Sequence, residues 1–324
     1  MITMVPVFNK ETSVENKDVK QPLVSIALCT FNGTAYLTGL LDSLLEQTYP
    51  NTEIIAVDDC STDQTFQILQ AYRNEHPKTV HIHRNTANLG FSKNFEKAIS
   101  LCTGTYIALC DQDDIWVKNK IEILVNNIGN HTLIYHDSRF IDQDGRDLEK
   151  NLSDTTQMYT GKSNYFFLRG NTVSGHAMLF KSSLKRYIFP FDGRFYHDWW
   201  IAFVASSVGE IKYLDMPLVY HRRHNRGITS GSGQDKELPM AQVHRSKLLD
   251  FNLEWIIYLG QFKYAKNRKE LSFIATTLQN FAEGKKGWRF FYFLYKYFPA
   301  LMSMPKRKNF LSRFNLTRKL YAKS

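Results

Sequence analysis

Between Leu23 and Tyr135 the chain alternates short apolar runs with longer amphipathic stretches. Short apolar runs bounded by turn residues read as buried strands, and stretches with apolar positions three and four apart read as helices. Strands are predicted near 23–30, 52–58, 79–83, 105–110 and 132–136, with helices near 34–47, 63–75, 91–101 and 115–128. Regular alternation of the two is the pattern of a parallel sheet flanked by helices. Such sheets bind ligands at the carboxyl ends of their strands, and Asn32, Asp58, Asp59, Asn88 and Asp111 all follow a predicted strand or open a predicted helix.

Beyond this half the pattern changes. Residues 137–170 turn polar and irregular, as a long surface loop over a site would. Thr172 to Phe180 reads as a further strand, and Tyr196 to Ser207 as a helix with His197, Asp198, Trp199 and Trp200 near its start. A basic string, Tyr220 to Arg226, precedes a Gly/Ser-rich stretch at 230–233 that reads as a mobile connection, and 236–324 reads as wholly helical. No internal repeat is present.

Composition narrows the classes. At 324 residues and 43% hydrophobic content the chain can bury a large core, which excludes a disordered protein. The cysteines Cys29, Cys60, Cys102 and Cys110 lie mostly in strand-like runs, without zinc-site spacing or the density of a secreted scaffold, so a reduced, cytoplasmic protein is expected. Residues 1–21 lack the apolar core of a signal peptide, and no run is long enough to span a membrane. The net charge of +10 is uneven: residues 261–324 carry 15 Lys and Arg against Glu270 and Glu283, a local +13 that leaves −3 for the rest. A basic tail attracts phosphate-rich surfaces, either nucleic acid or an anionic membrane leaflet.

The run 105–116 ends an apolar strand in Asp111, Asp113 and Asp114. Alternate strand positions share a side, so Asp111 and Asp113 can face one hard divalent cation, Mg2+ or Mn2+, with phosphate oxygens completing its shell. Asp114 also reads as the cap of the helix predicted from Ile115.

Three further strings join this one: Leu23 to Gly33, ending Thr-Phe-Asn-Gly; Ile54 to Thr65, containing Asp58-Asp59; and Asn88-Leu-Gly90-Phe-Ser. In order and spacing the four resemble the family 2 glycosyltransferases over about 23–225. The resemblance implies a GT-A-type fold, a Rossmann-like nucleotide-sugar-binding domain with a mixed sheet, over residues 22–232, between an N-terminal extension (1–21) and a helical, basic and aromatic C-terminal region (233–324). It implies an inverting transfer from a UDP- or dTDP-sugar with a divalent metal. Thr30, Phe31 and Asn32 match the nucleotide-lining loop, and Asp58 matches the acid that reads the imide N–H of uracil or thymine. Asp111 and Asp113 match the metal-binding pair, with Asp111 also a candidate for ribose and Gln112 between them lining the donor. Asn88 and Lys93 fall where nucleotide or phosphate could be held. Gly175 and His176 match the segment beneath the donor sugar and the acceptor, Arg222 matches a phosphate contact, and His224 a metal or phosphate ligand. Tyr196-His-Asp-Trp-Trp matches the catalytic-base motif, with Asp198 as the base and His197 where Glu often stands.

This variant resembles a subgroup associated with rhamnosyl and related transfer to bacterial surface polysaccharides, with galactose and glucose as the next donors. No Gln-X-X-Arg-Trp string of processive synthases occurs, so addition of a single sugar is expected. The aromatic and basic residues near 288–298 suit a membrane interface, where a polyprenyl-diphosphate-linked glycan acceptor would be presented at the inner face; a buried helical subdomain or homo-oligomer interface is the alternative. Nucleic acid fits poorly, because the aromatics cluster rather than interleave with an open basic groove. A non-catalytic nucleotide-sugar-binding scaffold is the rival reading from another class.

Overall fold

The computed structural model describes residues 21–223, 252–285, 287–298 and 310–323. In chain order its first elements are β1 (Val24–Thr30), α1 (Leu37–Leu45), β2 (Thr52–Asp58), α2 (Thr65–Glu75), β3 (Val80–Arg84), α3 (Phe91–Leu101) and β4 (Tyr106–Cys110). There follow β5 (Ile115–Trp116), α4 (Lys120–Ile128), β6 (Leu133–Ile141), β7 (Asp147–Asn151), β8 (Met178–Lys181), α5 (Lys185–Ile188), α6 (His197–Val208) and β9 (Ile211–Arg222). The C-terminal helices are α7 (Leu253–Gly260), α8 (Arg268–Ala282), α9 (Trp288–Lys296) and α10 (Phe310–Lys323).

One mixed sheet runs in the order β3-β2-β1-β4-β8-β6-β9-β5, with β7 hairpinned onto β6. The strands β3, β2, β1 and β4 are mutually parallel, β8 is antiparallel to β4 and β6, and β9 runs parallel to β6. Central parallel strands are covered on both faces, which is why β1 reads as continuous Val-Ser-Ile-Ala-Leu-Cys. The two-residue period divides them: Val24, Ile26 and Leu28 meet α1, α2 and α4, whereas Ala27, Ile55, Val57, Ile107 and Leu109 meet α3, α6 and the C-terminal helices.

Three predictions are corrected. The helix expected from Ile115 starts at Lys120, because Ile115 and Trp116 pair with Tyr220 and Val219 of β9; Asp114 therefore caps no helix. The expected loop 137–170 is partly regular, since β6 runs on to Ile141 and turns back as β7. The strand expected over 172–180 is confined to β8, after a tight helical turn at Gly175–Ala177. The described part of 236–324 is helical as expected, while the 230–233 stretch and the 232/233 boundary lie outside the described residues.

Candidate active site

The strands β1 and β4 lie side by side and their onward neighbours diverge, β2 to one side and β8 to the other. A crevice opens at their carboxyl ends. After β1, Asn32 adopts φ 49°, a left-handed conformation that asparagine tolerates. Its side-chain oxygen accepts from Thr62 N at 2.9 Å, and its own N–H donates to Ser61 Oγ at 3.0 Å. Gln112, beyond β4, clasps this loop: Phe31 N donates to its Oε1 at 2.8 Å, and its Nε2 donates to the Phe31 carbonyl at 3.0 Å. A Cβ on Gly33 would lie 2.3 Å from that Oε1, so the clasp requires glycine there.

The acids after β2 shape the crevice wall. Asp58 is fully buried and accepts from Thr30 Oγ1 at 3.2 Å and Ser61 N at 3.0 Å, with Arg84 Nε 3.4 Å away. Asp59 accepts from Leu89 N and Gly90 N at 2.8 and 2.9 Å, fixing the loop that leads into α3. Asn88 also accepts from Gly90 N, at 3.0 Å.

The acidic run after β4 forms a turn, not a strand end, so the turn brings Asp111 and Asp113 to the crevice. Asp114 points inward and is fully buried; His221 Nδ1 of β9 lies 2.9 Å from its Oδ1. The His221 ring stacks on His176, centroids 4.2 Å apart at 12°. His176 Nε2 lies 2.8 Å from Ser138 Oγ, and its Nδ1 lies 3.7 Å from Asp111 Oδ2 and 4.0 Å from Asp114 Oδ2. Burial holds His176 at a pKa of about 3, so its ring is neutral with a nitrogen lone pair to give. Burial lowers His221 too, but the Asp114 carboxylate outweighs it and raises the ring above its ordinary value.

Beneath them lies Lys120, wholly buried, its ammonium donating to the His176 carbonyl at 2.7 Å and 3.3 Å from the centre of the Trp116 ring. Burial lowers its pKa to about 7. The donor set suits a divalent ion: ligand atoms of Asp114, His176 and His221 lie within 4.8 Å of one another, and the buried Asp114 Oδ2 has no hydrogen-bond partner.

Asp198 opens α6, its Oδ1 accepting from Trp199 N at 2.6 Å. Burial raises its pKa to about 7, and the Asp111 charge adds to the shift. A carboxylate poised near neutral pH is matched to general-base work. Gly175 packs against it: a Cβ there would meet His197 Nε2 at 3.4 Å and Asp198 Cβ at 3.8 Å.

The structure thus brings Thr30, Phe31, Asn32, Asp111, Gln112, Gly175, His176 and Asp198 around the β1 and β4 termini. Two further candidates make contacts within the protein. Arg222 Nε donates to the Asp113 carbonyl at 3.1 Å and Nη1 to the Asp142 and Gln143 carbonyls at 2.9 and 3.0 Å, so its fork joins the acidic turn to the β6–β7 hairpin. Lys93 donates to Glu96 at 2.8 Å and to the Phe191 carbonyl at 2.7 Å, bolting α3 to the segment before α6. His224 lies outside the described residues. Sequence reasoning missed Lys120, Ser138 and His221 and gave Asp114 only a capping role; the signals present were the third acid of the 111–114 run and the first histidine of the Tyr220–Arg226 string.

The mixed sheet with its C-terminal helices resembles the GT-A glycosyltransferase fold. The chain belongs to the family 2 glycosyltransferases: the profile described as Glycosyl transferase family 2 matches residues 25–188. Over 102 residues it is 38% identical to the putative teichuronic acid biosynthesis glycosyltransferase TuaG of Bacillus subtilis, a match covering 32% of this chain and 40% of that protein. The fold resembles that of S. aureus TarS residues 1–349, solved with UDP-GlcNAc, at TM-score 0.56 and 20% identity over 93% of this chain and 87% of the other. It also resembles the mannosyltransferase PcManGT of Pyrobaculum calidifontis, solved with GDP-Man and Mn2+, at TM-score 0.52 and 15% identity over 94% and 88%. Both solved structures share the fold at low identity.

Proposed function

We propose that this glycosyltransferase is an inverting, metal-dependent enzyme that moves one sugar from a UDP- or dTDP-sugar to a glycan acceptor during surface polysaccharide synthesis. The observation that carries the reading is the meeting of the acidic turn with Asp198, a carboxyl whose pKa of about 7 suits proton removal. The nucleotide lies over Thr30–Asn32, with Asp58 and Asn88 at the base side and Gln112 holding the loop in place. Asp111 and Asp113 would hold Mg2+ or Mn2+ together with the neighbouring donor set of Asp114, His176 and His221. A bound ion neutralises charge growing on the departing diphosphate. Asp198 takes the acceptor hydroxyl's proton, and Gly175 leaves room for the sugar between base and donor. Rhamnose is the first donor to test, then galactose and glucose.

We also place the acceptor on a polyprenyl diphosphate at the inner membrane face. No helix among the described residues is long and apolar enough to cross a membrane. Trp288, Tyr292 and Phe314 are exposed on α9 and α10, near Arg289 and Lys296, and suit headgroup depth beside anionic lipid.

Thermal shifts with UDP, dTDP, GDP and CDP, each with and without Mn2+, test the donor site. A metal-dependent shift with UDP or dTDP that Asp113→Ala abolishes is the expected result; no shift with any nucleotide would sink the reading and favour a scaffold. A ligand at 100 times its dissociation constant adds about 2.7 kcal/mol, which such a scan resolves.

A further inference from the structure

Two features beside Asp198 have no role in donor binding. The first is an exposed aromatic lip. Phe91, at the start of α3, and Tyr196, just before α6, stack with centroids 5.7 Å apart at 29° and are 39% and 47% exposed. The lip is rigid: Ser92 Oγ donates to the Phe195 carbonyl at 3.0 Å, Lys93 Nζ donates to the Phe191 carbonyl at 2.7 Å, and Phe191 N donates to Glu96 at 2.7 Å. Large exposed rings cost water contacts, and these are held in place rather than folded away.

The second is His197. Its ring lies in a box of Phe95, Phe91 and Phe191, at centroid distances of 4.1, 6.0 and 6.3 Å. It is 8% exposed, and neither ring nitrogen has a hydrogen-bond partner. An unpartnered buried polar group costs stability, and an apolar ring would fill the same box without that cost. Nε2, itself shut off from solvent, lies 3.4 Å from where a Cβ on Gly175 would stand, with Asp198 Cβ 3.8 Å from the same point.

A pyranose offers what these features lack: a face of C–H groups for the rings and hydroxyls for the imidazole edge. We propose that Phe91 and Tyr196 are the stacking platform for the acceptor sugar, and that His197 hydrogen-bonds one of that sugar's hydroxyls as it approaches Asp198. The proposal rests on the transferase reading above and adds the acceptor side to it. Tyr196 stacks on Phe91, Phe91 meets His197 at 58°, and His197 stacks on Phe95, so the platform is backed by rings that run from solvent to core.

Saturation-transfer NMR with the methyl glycosides of glucose, galactose, N-acetylglucosamine and rhamnose tests it on the full chain, with aromatic protons irradiated. The expected result is a signal for at least one glycoside that disappears in Phe91→Ala/Tyr196→Ala and persists in Tyr264→Ala, an exposed ring elsewhere. His197→Phe keeps the rings and should weaken the same glycoside by about threefold to tenfold, the worth of one hydrogen bond. No signal in the unmodified protein, or a signal that survives the double substitution, overturns the platform; unchanged glycoside binding in His197→Phe overturns the role of His197. The UDP thermal shift on the unmodified protein separates this failure from loss of the donor site, since the shift survives if only the platform is wrong.

Discussion

The two faces of the sheet are built from different materials. The face under α1, α2 and α4 is packed with Val24, Ile26, Leu28, Leu37, Leu40, Leu41, Leu44, Leu69 and Leu124, nearly all aliphatic. The face under α3 and α6 is crowded with Phe95, Phe167, Phe180, Trp200, Phe203, Trp255, Phe290 and Phe293, and it continues without a break into the C-terminal helices. The aliphatic face closes on itself locally. The aromatic face is assembled from segments more than 150 residues apart and carries the unpartnered His197 and the raised Asp198, while the other face contributes the buried Lys120 on Trp116. Support and chemistry are therefore divided between the faces. The C-terminal helices belong to the second: Trp199 and Trp255 both donate their indole N–H to the Phe167 carbonyl, at 2.7 and 2.9 Å, tying α7 to the helix that carries Asp198.

The largest test of that division is Asp198→Asn on the aromatic face against Glu122→Gln on α4. The first should cut transfer by roughly 10²- to 10⁴-fold, the usual worth of a general base, and the second should leave it unchanged. In the unmodified protein, activity should fall as pH drops through about 7, where Asp198 takes up its proton. Stability carries the opposite sign. A carboxyl whose pKa is raised by folding holds its proton more tightly when folded, so the folded state loses stability as pH rises from the ordinary carboxylate range to about 7. Asp198→Asn escapes that loss and should melt higher than the unmodified protein at pH 8, with the gap closing toward pH 4. A flat pH–rate profile across 6–8 would move the base elsewhere.

Next in size is Trp255→Ala, which removes the largest fully buried side chain of the aromatic face. It should cost about 3–5 kcal/mol in urea unfolding and lower activity per folded molecule, because α6 loses its backing. Leu69→Ala, fully buried on the other face, should cost about 2–5 kcal/mol and leave activity per folded molecule intact. Two separate transitions in Trp255→Ala, with a sheet that melts as before, would show the C-terminal helices to be an attachment. A smaller effect, opposite in sign, is expected of His197→Phe. Replacing an unpartnered imidazole by a ring of similar shape should raise stability by about 1–3 kcal/mol, read in the same urea titration, and a loss would mean that the box recognises the imidazole itself.

The same division explains what could be read from the chain. Strands β1, β2 and β4 are apolar runs with turn residues at their ends, and α1 to α3 repeat at helical spacing, so local pattern and tertiary environment agree. Asp111, Asp113 and Asp198 stand out in the sequence as candidates because each sits in a string with a recognisable order. Asp114 and Ile115 were misread because a two-residue strand has no periodicity of its own; it exists only because β9, about 100 residues later, offers Val219 and Tyr220 as partners. The charge of Arg222 is visible in the sequence, and the three carbonyls it also holds are not. Lys120 is a helix residue by pattern, and nothing local announces that its ammonium is buried between two turns.

The smallest expected effect sharpens the boundary where the faces meet, at the clasp between Gln112 and Phe31. Gly33→Ala places a methyl 2.3 Å from Gln112 Oε1, and the amide is the end of a flexible side chain that can swing aside only by giving up its two bonds to Phe31. Those bonds are exposed, so water replaces them in part, and the cost should be about 1 kcal/mol in stability with a several-fold loss of UDP affinity. Gln112→Ala should produce a similar loss by a different route. Because both act through one clasp, the effects must not add: Gly33→Ala should cost almost nothing once Gln112 is already alanine. A fully additive cycle would mean that the absence of a side chain at Gly33 matters to the turn itself, and that the acidic turn and the Phe31–Gly33 loop are positioned independently.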